Sequence, residues 1–151
     1  MSVTHGDFTI ERRLVHRPPR AFSAFADPEL KRRWFANPGD WDQWHHELDF
    51  RVGGREVNSG GDRGQKQRLF EARFHDIVQD ERIVFAYDLH HDERLLSVSL
   101  TTIEFSPDGD GTRLVFTEQG AFFDDPGAPA EREHGTGLLL DAYERFLDGG
   151  D

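Results

Sequence analysis

The chain predicts an α+β fold in which a curved antiparallel sheet grips one long C-terminal helix. Three observations carry that expectation. From residue 48 to residue 118, alternating apolar segments follow one another with short turns between them, which implies antiparallel pairing of consecutive strands. Two short helical segments stand together after the first strand rather than between later ones. Residues 131–148 carry Leu139, Ala142, Tyr143 and Phe146 at helical spacing and close the chain.

Phe8, Ile10 and Leu14 share one side of the first strand, with Arg12 interrupting that side. Pro18-Pro19 stops the strand and suits a first helical turn; Ala21, Phe22, Phe25 and Ala26 follow at helical spacing. Asp27-Pro28 supplies an N-cap and a first-turn proline for a second short helix, where Leu30 and Trp34 lie one turn apart. The Asn-Pro-Gly-Asp run at 37–40 is a turn. Leu48, Phe50 and Val52 alternate with Asp49 and Arg51 as a half-buried strand, Gly53-Gly54 reads as a hairpin turn, and 55–60 returns. Another flexible turn spans 60–64.

Phe70, Ala72 and Phe74 alternate in the next strand, and Ile77 shifts the parity, which predicts a bulge. Asp80-Glu81 turns the chain. Ile83, Phe85, Tyr87 and Leu89 alternate, then Leu96, Val98 and Leu100, with the pattern changing face near Ile103 and Phe105. Residues 107–111 form a hairpin connection, and Leu114 and Phe116 mark the last strand before a Gly-Ala-Phe-Phe corner at 120–123. Gly135 and Gly137 each give up about 1 kcal/mol of helix propensity relative to Ala, which predicts close approach of the closing helix to a backbone or a ligand. Gly149-Gly150 ends the helix.

Composition narrows the function classes. A chain of 151 residues is expected to form one domain, 1–151, and can bury about 68–70% of its unfolded surface. Eighteen Lys and Arg against 29 Asp and Glu give a net charge of −11, which argues against nucleic acid or an anionic membrane as partner. No cysteine is present, so neither a disulfide frame nor thiolate chemistry is expected. The absence of a long apolar run and of a signal-like start predicts a cytoplasmic chain. Thirteen Phe, 3 Trp and 2 Tyr are enough to fill a core, line a pocket, or both.

Several segments resemble one family. Asp49-Phe50-Arg51-Val52-Gly53-Gly54-Arg55 is similar to the strand–turn signature of the START-like (SRPBCC) superfamily, and more closely to its branch related to the activator of the heat-shock-protein-ninety ATPase. Pro18-Pro19-Arg20-Ala21-Phe22 resembles the start of that branch's first helix. Asp80-Glu81-Arg82-Ile83-Val84-Phe85 resembles its turn and strand without the usual prolines. Gly111-Thr112-Arg113-Leu114 and Gly120-Ala121-Phe122 resemble its last strand and corner. The resemblance implies the helix-grip fold, with six to seven strands around the C-terminal helix and a cavity for a hydrophobic or amphipathic small molecule. Members include ligand carriers, cyclase-type enzymes and a chaperone-binding domain, so a chaperone partner is a further expectation.

The pocket expected from that fold is lined by Phe50, Phe74, Phe85, Leu100, Phe116, Phe122, Leu139 and Tyr143, with Tyr87 and Glu118 orienting one polar group. Glu118 follows Leu114 and Phe116 on the same face of the last strand. A carboxylate held among aromatics can act as an acid or base; alternatively it pairs with an arginine. In an enzyme of cyclase or lyase type, Glu118 would be the base and Tyr87 or His75 the acid. Glu71, Arg73 and His75 otherwise read as a solvated strip. Trp34, Trp41 and Trp44 are candidates for an entrance to the cavity, or for a satellite apolar cluster. His45-His46 and His90-His91-Asp92-Glu93 lack metal-ligand spacing, because adjacent strand residues point to opposite faces; no metal and no cofactor are expected. Ser97, Ser99, Thr101 and Thr102 read as ordinary strand residues. A homodimer through an edge strand or the Trp-rich corner is a further expectation.

Overall fold

The computed structural model describes residues 2–35, 43–61, 64 and 67–149. Strand β1 (Val3–Leu14) leads into two short helices, α1 (Pro18–Ala26) and α2 (Pro28–Arg32). Six further strands follow: β2 (Gln43–Leu48), β3 (Arg55–Gly61), β4 (Arg68–Val78), β5 (Arg82–His91), β6 (Arg94–Asp108) and β7 (Gly111–Phe123). Helix α3 (Ala128–Leu147) comes last. All strands pair antiparallel in one curved sheet of order β1-β7-β6-β5-β4-β3-β2, so β1 closes back on β7 and the edges are β1 and β2. This is the α+β helix-grip architecture that the sequence predicts.

Local chemistry explains the helices. Pro18 occupies the first turn of α1, whose Ala21, Phe22, Ala24 and Phe25 are buried. Asp27 caps α2 by accepting from the Glu29 backbone N–H at 2.9 Å. Helix α3 packs Leu140, Tyr143, Phe146 and Leu147 inward. The Tyr143 hydroxyl donates to the Ala21 carbonyl at 2.7 Å and so ties α3 to α1. Phe25 sits at the centre of this layer, with ring centroids 4.9 Å from Trp34, 4.7 Å from Tyr143 and 5.9 Å from Phe105. The helix starts at Ala128, one turn earlier than the sequence suggests.

Arg12, the residue that breaks the apolar side of β1, is the strap between β1 and α3. It donates to Asp141 at 2.7 Å, to Glu144 at 2.6 Å and to the Gly137 carbonyl at 3.2 Å. The parity shift expected near Ile77 is a register irregularity between Phe74 and Asp76 in β4.

Three expectations are corrected. Residues 49–52 are not strand: β2 ends at Leu48, and 49–54 is its connection to β3. Phe50 leaves this connection to pack edge-on against Phe22 and Phe74, with centroids 5.7 and 5.1 Å away, while Val52 stays exposed. The loop is held by Gly53 N–H donating to the Phe74 carbonyl and Phe74 N–H to the Gly54 carbonyl. Gly53 takes a positive φ of 83°, and a Cβ on Gly54 would sit 2.1 Å from the Asp49 carbonyl oxygen.

The second correction concerns β6. Ser97, Ser99, Thr101, Ile103 and Phe105 are its buried residues, and Val98 and Leu100 are exposed. The change of face expected near Ile103 and Phe105 is present; what differs is that Val98 and Leu100 stand on its outer side. Directly opposed residues share a face, so Phe85 opposite Thr101 and Thr101 opposite Glu118 fix the inner side. The third correction is that neither helix glycine serves a close backbone approach. Among the described residues, a Cβ on Gly135 would meet nothing within 4 Å, and one on Gly137 only the Arg12 guanidinium at 3.9 Å.

These contrasts set opposite outcomes for two glycine substitutions. Gly54→Ala is expected to lower stability by about 1–3 kcal/mol through backbone strain. Gly135→Ala is expected to raise it by about 1 kcal/mol. Urea unfolding midpoints measure both, and a Gly135→Ala midpoint below that of the parent would contradict the open environment of that position.

Candidate functional site

The concave face of the sheet and the first half of α3 enclose a cleft of about 560 Å³. Phe70, Leu89, Leu96, Phe122 and Leu139 supply its apolar wall. Phe35, Phe70, Tyr87, Thr136 and Leu139 also line an inner chamber of about 60 Å³, which reaches Lys31, Trp34, Phe85, Phe116 and Glu118. A cleft of this size, apolar with a few convergent polar groups, has the properties of a small-molecule site.

One polar cluster stands where cleft and chamber meet. Arg132, near the start of α3, donates through Nη1 to the Tyr87 hydroxyl at 2.7 Å and to Glu118 Oε2 at 3.2 Å. Its Nη2 donates to Ser97 Oγ at 2.8 Å. The guanidinium lies 5.0 Å from the Phe122 ring centroid and 5.6 Å from that of Tyr87. The Tyr87 hydroxyl donates in turn to Glu118 Oε2 at 2.8 Å. Burial, reinforced by the Glu118 charge, pushes the Tyr87 hydroxyl above its ordinary value, so it remains a donor. Two donors therefore converge on one oxygen of a carboxylate that is 2% exposed. Oε1 makes no hydrogen bond among the described residues.

A second cluster is buried beyond the other end of the chamber. Lys31 Nζ, on α2, donates to Glu56 Oε1 on β3 at 2.6 Å. His46 Nε2, on β2, lies 2.8 Å from Glu56 Oε2, and Arg32 Nε donates to His46 Nδ1 at 3.1 Å. An Nδ1 that accepts requires the proton on Nε2, so His46 donates to Glu56. Burial would raise the Glu56 carboxyl, but the Lys31 charge and the bonds from His46 and Lys31 outweigh it and hold the group below its ordinary value. Lys31 Nζ also lies 4.5 Å from the Phe35 ring centroid. Among the described residues, no group of three or more His, Cys, Asp or Glu could hold a metal.

The structure brings part of the sequence-predicted set together. Phe85, Tyr87, Phe116, Glu118 and Leu139 line the chamber, and Phe122 lines the cleft. Phe50, Phe74 and Tyr143 line neither: the two phenylalanines pack on each other, and Tyr143 fills the core beneath α1. Leu100 is exposed on the opposite face, because β6 turns its serines and threonines inward. His75 is exposed on β4, three places from the Glu118 strand in the sheet order. Trp34 lines the inner chamber, and its indole N–H donates to the Ala24 carbonyl at 3.0 Å. Trp44 stacks parallel to His46 and donates to Asn58, away from the cleft lining. Trp41 lies outside the described residues.

The sequence family described as Activator of Hsp90 ATPase homolog 1-like protein matches residues 16–147. The chain belongs to that family. The crystal structure of Mll3558 from Rhizobium loti is 47% identical, covering 95% of this chain and 98% of its own, with a TM-score of 0.87. A protein from Rhizobium leguminosarum is 41% identical over 97% of each chain, with a TM-score of 0.89. CV1439 from Chromobacterium violaceum, 24% identical over 94% of this chain and 96% of its own with a TM-score of 0.74, shares the fold. No curated protein matches.

Within this family member, sequence reasoning missed Arg132, Ser97 and the Lys31–Glu56–His46 cluster. Arg132 had a signal: it stands four residues before Thr136 and seven before Leu139, on the inward stripe of α3. Ser97 is hidden by its neighbours, because the apolar residues of that segment of β6 face outward. Lys31, His46 and Glu56 come from three elements, and no local pattern joins them.

The Glu56 cluster generates a pH prediction. A carboxyl held below its ordinary value of 4.5 in the folded state stabilises the fold above that pH. The contribution is lost as pH falls through the folded-state value. Stability is therefore expected to drop in acid, and Glu56→Gln is expected to flatten that drop while costing about 3–5 kcal/mol near neutrality, because Lys31 is left buried without its anion. Urea titrations across the acid range measure both; parallel pH profiles for parent and variant would remove Glu56 from the acid response.

Proposed function

We propose that this family member binds an amphipathic small molecule between the sheet and α3. The single observation behind this reading is the continuous lining from cleft to chamber. An aromatic and aliphatic wall ends on one mutually bonded cluster, in which Tyr87 and Glu118 are buried and Arg132 is half-buried. Apolar contacts supply affinity at about 25 cal/mol per Å² buried, and the cluster orients one polar end. The cyclase- or lyase-type enzyme reading has less support. Glu118 Oε2 and the Tyr87 hydroxyl are committed to each other and to Arg132, and His75 is exposed on β4.

Mass spectrometry of small molecules released on denaturation, followed by thermal-shift screening of lipids and polyketide-like compounds, tests the reading. A ligand at a hundredfold its Kd is expected to add about 2.7 kcal/mol to stability. Leu139→Trp, which fills the passage shared by cleft and chamber, is expected to abolish that gain while leaving the midpoint of the free protein close to that of the parent. If Leu139→Trp binds as the parent does, the ligand sits elsewhere. Absence of any ligand would turn attention to the exposed outer face carrying Val98 and Leu100, where a protein partner such as a chaperone would dock.

A further inference from the structure

Resting on the small-molecule reading above, we infer that the ligand is an uncharged amphiphile whose buried end is a hydroxyl donating to Glu118 Oε1. Three observations lead there. Glu118 is fixed by two donors on Oε2, from Tyr87 at 2.8 Å and Arg132 at 3.2 Å, while Oε1 makes no hydrogen bond among the described residues. Glu118 lines the inner chamber, whose other walls are mostly aromatic and aliphatic. A carboxylate oxygen that opens onto such a chamber calls for a donor.

The charges of the site select against an ionised group. The two cations and two carboxylates at and beyond the chamber are already matched, Lys31 with Glu56 and Arg132 with Glu118. The outer cleft is lined by Arg68, Arg94 and Arg132 and by Asp124, Asp125 and Glu131, three of each sign. A ligand carboxylate reaching the chamber would meet the Glu118 charge. A ligand ammonium would have to compete with Arg132. Either would bring a buried charge without a free counter-charge, whereas a neutral hydroxyl donates to Oε1 and disturbs neither pair.

Volume sets the shape of the buried end. The chamber of about 60 Å³ is well below the roughly 150 Å³ of a cavity that takes up benzene, so it admits a short end only. A ring system does not fit there, so the hydroxyl terminates an unbranched segment. The body of the molecule lies in the cleft of about 560 Å³ against Phe70, Phe122 and Leu139.

The test is a calorimetric series near neutral pH with octanol, octanoate, octylamine and methyl octyl ether, which share a chain and differ at the end. Octanol is expected to bind about tenfold or more tightly than each of the others, the effect of one hydrogen bond to a charged acceptor. Two variants should shift that order in opposite directions. Glu118→Gln frees the Arg132 guanidinium and should raise octanoate relative to octanol. Arg132→Gln frees the Glu118 charge and should raise octylamine. An ether that binds as well as octanol, or an ion that binds better, overturns the hydroxyl assignment and leaves the cleft reading standing. Failure of all four to bind the parent protein overturns both. If a variant does not fold, the order of the four in the parent still decides.

Discussion

Two glutamates, Glu56 and Glu118, are buried on the concave face of one sheet at 1% and 2% exposure, and each requires a cation brought by a helix. Glu56 on β3 takes Lys31 from α2, and Glu118 on β7 takes Arg132 from α3. Leaving either carboxylate without its partner costs several kcal/mol, so the two pairs fix where α2 and the start of α3 can rest on the sheet. Arg12 repeats the device in reverse, from β1 to Asp141 and Glu144 near the end of α3. The helices are thus held at defined stations by charge, with the aromatic layer filling the space between those stations.

That placement separates a packed end of the concave face from an open one. Under α1 and the second half of α3, Phe22, Phe25, Phe105, Trp34 and Tyr143 interlock edge to face, and the Tyr143 hydroxyl is satisfied by Ala21. Towards the start of α3 the inward residues become Ser97, Ser99 and Thr101 on β6 and Gly120 on β7. Small residues there leave room for the Phe122 ring and for Arg132 to reach across to Tyr87. A Cβ on Gly120 would come within 2.8 Å of Ser99 Oγ and 3.1 Å of Phe122. The same strand pairing that builds the core therefore also makes the cleft, by exchanging large apolar side chains for small ones along its length.

Membership of the Activator of Hsp90 ATPase homolog 1-like family agrees with this architecture, since the family match and the structural likenesses run over nearly the whole chain. The fold by itself does not specify a chemistry. In this chain the specific element is the Arg132–Tyr87–Glu118 cluster, with one oxygen of the carboxylate held and the other unbonded among the described residues.

The sequence by itself determined the order of elements, the antiparallel sheet and the closing helix, because alternation, proline-led helix starts and hairpin turns are local signals. It also determined that Glu118 shares a face with Leu114 and Phe116, since strand periodicity carries that information. Leu100 shows where local information ends. Val98 and Leu100 are as apolar as core residues, yet pairing with β5 and β7 turns Ser99 and Thr101 inward, and only the neighbouring strands decide which side is inside. Residues 49–52 alternate like a strand for a related reason: Phe50 is apolar because it reaches the core from a loop. Which cation meets which buried carboxylate was likewise decided only by tertiary structure. Lys31 and Glu56 are 25 residues apart, and Glu118 and Arg132 14, on different elements that no periodicity joins.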